Sequence, residues 1–260
     1  MKNKFTILLM LSALTFFFYA CSDDNSSNPN NNDNPSDYYK LSIGNWWYYQ
    51  TDILDTLGNA MAGSTSFDTS KVDGKLQYKG KDALRMVDIY NQDSVTYRDT
   101  TFMAVEGPQF YVYMDYLGNS QFALPYGEWV LIADFNQNEW TVLDSIVDGI
   151  QITVMNGITG TLESTNIKIT GKKLGKENIT VKGQTVEAQK FEQTLTINGQ
   201  VDMGGGLKIS INKDLGTTFY FAKNIGLAKV YQPPLIFTVP GFPNQQVVGS
   251  NMMLLDYKVQ

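Results

Sequence analysis

The chain has 260 residues and a net charge of −6, with 20 Lys and Arg against 26 Asp and Glu and no histidine. Without imidazole there is no Ser–His or Cys–His nucleophile, no histidine metal ligand and no neutral-pH imidazole switch, and the single cysteine excludes internal disulfides and thiolate zinc sites. Residues 38–260 carry a net −4, which disfavours binding to phosphate backbones, so nucleic acid is not an expected partner.

Lys2 and Lys4 precede an uncharged run, Phe5 to Ala20, whose only polar members are Thr6, Ser12 and Thr15. Sixteen residues fall short of the roughly 20 needed to cross a bilayer, and a hydrophilic tract follows them. Residues 1–20 therefore read as a signal peptide. Ala20 directly before Cys21 resembles the lipobox of bacterial lipoproteins, although Phe18 and Tyr19 are bulkier than that family's usual residues. The resemblance implies cleavage before Cys21, a diacylglyceryl thioether on its sulfur and acylation of its amino group. One myristoyl-length chain binds a membrane only reversibly, so two or three together give a lasting anchor.

Ser22, Asp23 and Asp24 resemble the acidic export signal with which some Gram-negative bacteria move lipoproteins to the cell surface. That implies an outer-membrane lipoprotein exposed on the cell, with a periplasm-facing position as the alternative. Residues 22–37 contain only Ser, Asp, Asn and Pro, too polar to offset the entropy of ordering, and are expected to form a disordered tether. As a flexible coil it would span about 20–24 Å. The organisation expected is thus a signal peptide (1–20), a lipidated cysteine with its tether (21–37) and one β-rich domain (38–260).

From Tyr38 onward, apolar and polar residues alternate. Phe110, Val112, Met114 and Tyr116 form one such run, and Ile150, Ile152 and Val154 another. Leu207, Ile209 and Ile211 follow, then Met253, Leu255, Tyr257 and Val259. Period-2 patterning predicts antiparallel strands with one buried face. Asp73-Gly74, Asp148-Gly149, Asn156-Gly157 and Asn198-Gly199 suit tight hairpin turns. Gly204-Gly205-Gly206 reads as another turn, since it lacks the Lys and Ser/Thr of a phosphate loop. Val186 and Ala188 are out of phase with Phe191, Leu195 and Ile197, which predicts a β-bulge near Gln189–Lys190. Residues 53–64 and 170–178 are the two stretches where a short helix would fit. Asp55-Thr56-Leu57-Gly58-Asn59 and Asp115-Tyr116-Leu117-Gly118-Asn119 suggest one turn chemistry used twice. Lys168, Lys172, Lys173 and Lys176 read as a solvated edge.

Tyr39-Lys40-Leu41, Gly44-Asn45-Trp46 and Tyr48 resemble the opening strand of many exported β-rich proteins, and Phe219-Tyr220-Phe221-Ala222, Ile225-Gly226-Leu227 and Lys229 resemble their closing hairpin. Some of those proteins have a curved sheet similar to that of periplasmic lipoprotein carriers, which implies an apolar groove. The expected fold is all-β: a strongly curved antiparallel sheet, open barrel or sandwich.

Trp46-Trp47-Tyr48-Tyr49 is the most distinctive segment. On a strand, consecutive residues face opposite ways, so one Trp and one Tyr serve the core; the other pair is either buried beneath a second layer of a folded-over sheet or exposed to stack on a glycan or anchor a protein. Trp129 and Trp140 are expected to be buried. The carboxylates Glu128, Asp134, Glu139 and Asp144 are the remaining route to catalysis, as an acid–base pair for glycan hydrolysis. No motif points to a cofactor or metal. The expected role is a non-catalytic, membrane-anchored binding protein. The second reading is a carrier of a lipid or other apolar ligand, and the third is a carboxylate-dependent hydrolase.

Overall fold

A computed structural model describes residues 34–92, 95–119, 122–154, 158–237 and 245–260. The signal peptide, Cys21, Ser22, Asp23 and Asp24 lie outside the described residues, as does Asn156-Gly157. One turn of 3-10 helix, Pro35–Asp37, is followed by fifteen strands. The first half comprises β1 (Trp46–Leu54), β2 (Ser66–Tyr78), β3 (Lys81–Gln92), β4 (Val95–Glu106), β5 (Gln109–Asn119), β6 (Phe122–Asp134) and β7 (Glu139–Val147). The second comprises β8 (Ile150–Val154), β9 (Ile158–Val181), β10 (Gln184–Asp202), β11 (Lys208–Ala222), β12 (Gly226–Gln232), β13 (Leu235–Phe237), β14 (Gln245–Val247) and β15 (Gly249–Lys258).

Thirteen strands form one antiparallel sheet in the order β6-β5-β4-β3-β2-β1-β15-β12-β11-β10-β9-β7, with β8 also paired to β9 and with β13 and β14 as a separate ribbon. β6 and β7 stand at opposite ends of that order, yet only residues 135–138 join them. Four residues reach at most about 14 Å, so the sheet must curl until its ends meet. β6 packs against β8 and β9 without forming a ladder to either. The fold is therefore all-β, a strongly curved antiparallel sheet that does not close into a barrel.

Asp134 holds the corner between those ends. It is buried and accepts bonds from the backbone N–H of Asn136 (2.8 Å) and from the side-chain amides of Gln109 (2.8 Å) and Gln137 (3.2 Å). The helical turn Pro35–Asp37 docks onto the sheet through the Asn224 N–H to Asp37 C=O bond. That turn delivers Tyr38 and Tyr39 into the core. Tyr39 stacks on Phe110 at 5.2 Å and meets Phe135 and Phe221 edge-on. Phe191, with no exposed surface, contacts Phe135, Phe221 and Trp140. Offset and edge-on rings fill volume with favourable quadrupole alignment, so one aromatic cluster ties both halves of the sheet together.

Bulges, more than turns, shape the strands. Asp73-Gly74 and Asn198-Gly199 are not hairpin turns: Asp73 is the extra residue of a bulge inside β2, and Gly199 lies inside β10 at another register shift. At Gly199 a Cβ would collide with Thr165, so the glycine permits close strand approach. Gly171 does the same beneath the Trp140 ring. Asp148-Gly149 and the triple glycine 204–206 do form turns, with positive φ at each glycine. The bulge expected near Gln189–Lys190 is present, with the extra residue supplied by β9 across from Lys190. After Met114 of β5 the partner strand β6 carries an extra residue opposite Asp115, and beyond it Tyr116 is exposed and Leu117 buried.

The phase expected for β15 is wrong over its first half. Met252 and Leu254 are buried, and Met253 and Leu255 face outward, because Leu255 is the extra residue of a bulge opposite Tyr48/Tyr49. Beyond it the odd residues Tyr257 and Val259 pack on the core, as the alternation predicts. Asp55 to Asn59 is a turn in which the Asp55 carboxylate accepts the Leu57 and Asn59 N–H groups, whereas Asp115 to Asn119 continues β5. The shared sequence thus has two structures. Residues 53–64 end β1 and turn, and 170–178 are strand, so neither holds a helix.

Candidate binding face

The register of β1 separates its aromatics cleanly. Trp47 and Tyr49 point into the roll at 2% and 3% exposure, and donate to the carbonyls of Ile225 and Leu227 at 2.8 Å each. Desolvation, aided by the Asp68 and Asp88 carboxylates, pushes the Tyr49 hydroxyl well above its usual range. Both side chains are therefore core residues and offer no surface to a ligand. Trp46 and Tyr48 face outward and are half-buried.

Cross-strand pairing defines what surrounds them. Trp46 lies between Lys258 of β15 and Lys71 of β2, and the same row continues to Val87 of β3. Tyr48 lies between Asp256 and Thr69, followed by Ile89 and then Arg98 of β4. Phe67, 45% exposed, stacks on Tyr48 with ring centroids 6.0 Å apart and planes 14° from parallel. Met253 and Leu255 extend the apolar stripe on the other side of β1.

The polarity of the sheet is locally inverted here. In β3, Val87 and Ile89 face outward, while Asp88 faces inward. In β2, Phe67 is outward, and Asp68 and Ser70 are inward. The inward acids form a cluster that sequence reasoning missed. Asp88 and Asp99 are directly opposed on β3 and β4, and Asp68 is diagonal to Asp88 on β2. Ser70 donates to Asp88 at 2.5 Å, Thr101 at 3.4 Å, and Tyr90 donates to Asp99 at 3.0 Å. Desolvation, with Asp88 adding repulsion, raises the Asp68 carboxyl to about 7. Burial raises Asp88 to about 6, opposed by the Ser70 and Thr101 hydrogen bonds and reinforced by Asp99. Among the described residues no three acids, cysteines or histidines converge as metal ligands.

The other aromatics and acids occupy different settings. Trp140 is buried and donates to the Leu131 carbonyl. Trp129 is half-buried in an outer cluster where Tyr78, Phe102 and Tyr113 cover one another's faces, and it donates to the Lys79 carbonyl. Of the four acids considered for catalysis, Asp134 is the buried corner residue, while Glu139 and Asp144 pair with Lys172 and Lys168 at 3.2 and 3.1 Å. Glu128 lies on β6, at the other end of the sheet. An open groove of about 550 Å³ runs beside Trp140, Thr170 and Thr194, and the Glu139–Lys172 ion pair lies across it.

Apolar side chains from both halves of the sheet pack into one core among the described residues. Two cavities of about 30 Å³ each lie along the roll, one beside Tyr39 and Met86 and the other beside Met114 and Met252. Each has room for one water, whereas ligand pockets measure about 300–1,000 Å³. Met and Phe side chains line both of these cavities.

No family model and no curated protein matches the chain. Two solved structures are similar to it over 85% of its length and 98% of theirs. They are a candidate lipoprotein from Parabacteroides distasonis (14% identity, TM-score 0.47) and a candidate exported protein with a YmcC-like fold from Bacteroides fragilis (10% identity, TM-score 0.43).

Proposed function

We propose that this protein is a non-catalytic binding protein of the cell envelope, tethered to the outer membrane through Cys21 and displayed on the cell surface by Ser22, Asp23 and Asp24. Its contact surface is the outer face around Trp46 and Tyr48. One observation carries the binding role: the sheet turns apolar residues outward and acids inward over one continuous patch. Large apolar side chains on a solvated sheet face mark an interaction surface more often than a fold requirement.

Two experiments test the two parts. Full-length protein expressed in a Gram-negative host should fractionate with outer membranes and incorporate labelled fatty acid, and Cys21→Ala should abolish both. Unlabelled wild-type protein that still partitions with membranes would refute the anchor. For the contact face, Tyr48→Ala with Phe67→Ala in the full-length chain should abolish adsorption to isolated cell-envelope fragments. Unchanged adsorption, with the fold intact by circular dichroism, would refute that assignment.

A further inference from the structure

We infer that the face around Trp46 binds an acidic glycan, a polymer of sugars bearing carboxylates. This deepens the binding role proposed above and rests on it. Trp46 has a lysine on each side, Lys71 and Lys258, on strands about 4.8 Å away, and Arg98 closes the neighbouring row. All three cations are exposed, and none makes an ion pair among the described residues. Most other lysines of the body are matched to a carboxylate, in a domain that carries net negative charge.

Of the acids bordering this face, two are paired with cations and the third, Asp52, is hydrogen-bonded by neutral groups. Asp256 is held by Lys182 at 2.5 Å, and that ammonium keeps its carboxyl below the usual range. Asp52 accepts from Gln50 and from Thr65 at 2.6 Å, and Asp73 is paired with Arg85 at 2.7 Å. The patch therefore presents unpaired positive charge around the half-buried Trp46 and Tyr48 and the exposed Phe67. Sugar rings offer C–H faces that lie flat on indole and phenol rings, and their carboxylates form charge-assisted bonds to ammonium groups. Rings carried on neighbouring rows of a hydrogen-bonded sheet, with fixed spacing between rows, suit a polymer lying across the strands.

The test uses full-length protein in neutral detergent, titrated with polygalacturonate, with dextran and with a single-stranded oligodeoxythymidine, read by tryptophan fluorescence. Polygalacturonate should bind, more weakly as salt rises, and dextran should not. Lys71→Gln with Lys258→Gln should weaken polygalacturonate binding by about tenfold or more, and the Lys→Arg pair should restore it. Equal, salt-independent binding of dextran and polygalacturonate, lost in Tyr48→Ala/Phe67→Ala, would overturn the acidic preference and leave the contact face standing. Oligodeoxythymidine binding as tightly as polygalacturonate would overturn the glycan assignment, and so would the absence of binding to every polymer.

Discussion

Replacing Phe191 by alanine is expected to remove about 3–5 kcal/mol of folding free energy, the range for truncating a fully buried aromatic residue. Phe191 sits where Phe135 from the β6–β7 corner, Trp140 from β7 and Phe221 from β11 converge, at centroid distances of 4.9, 6.2 and 5.9 Å. Its loss leaves a void between the two ends of the curled sheet, and close-packed neighbours relax into such a void only partly. Domain stabilities are about 5–15 kcal/mol, so the variant would be near the threshold of unfolding. Urea denaturation should show the midpoint falling with little change in slope. The half-exposed Phe67 supplies the contrast, with Phe67→Ala costing under about 1 kcal/mol. Equal losses at the two positions would show that the aromatic cluster is not the keystone of the fold.

Stability should also fall as pH rises from about 4 to 7, the reverse of ordinary acid denaturation, through Asp68 and Asp88. Their carboxyls are raised in the folded state to about 7 and about 6, chiefly by desolvation. Below the unfolded value near 3.8 both states hold the proton, and the two acids add no pH dependence. Between there and the folded values the native state keeps protons that the unfolded chain releases, so each rise in pH favours unfolding. Above about 7 the full penalty of buried charge is present. Asp88→Asn should therefore stabilise the protein by about 2 kcal/mol at pH 8, since each tenfold difference in proton affinity between the folded and unfolded chain corresponds to about 1.4 kcal/mol. At pH 4 it should be neutral or costly by up to about 1 kcal/mol, because an amide accepts less well from both Ser70 and Thr101. Thermal melts of both proteins at the two pH values decide it. Destabilisation of equal size at pH 4 and pH 8 would mean that the ionisation of Asp88 plays no part in stability, and would refute the buried-charge penalty.

The fold class was legible because alternation survives in most strands, as in the buried Phe110, Val112 and Met114. Phase was less legible, since a bulge shifts parity by one residue and leaves no unique mark. Asn198-Gly199 has the composition of a turn, yet the same lack of a Cβ also admits the close approach of Thr165. The candidate face was half legible: opposite pointing of Trp46 and Trp47 follows from strand geometry, but which of them is buried depends on partners far along the chain. The Asp68–Asp88–Asp99 cluster was not legible at all. In β2 and β3 the usual rule is reversed, and a pattern rule that places acids outside assigns Asp68 and Asp88 to the wrong face. The unpaired Lys71 and Lys258 were hidden for a similar reason, because register brings them to either side of Trp46.

β1 pairs with β15 in the middle of the sheet, so the earliest and latest of the described strands are immediate neighbours. Such a seam cannot close until the last strand has been synthesised, and long-range pairing of this kind is slow. A chain threaded through a secretion channel from its amino-terminal end would thus cross with the seam still open. For a chain exported in that way, completion of the roll would fall to the far side of the membrane.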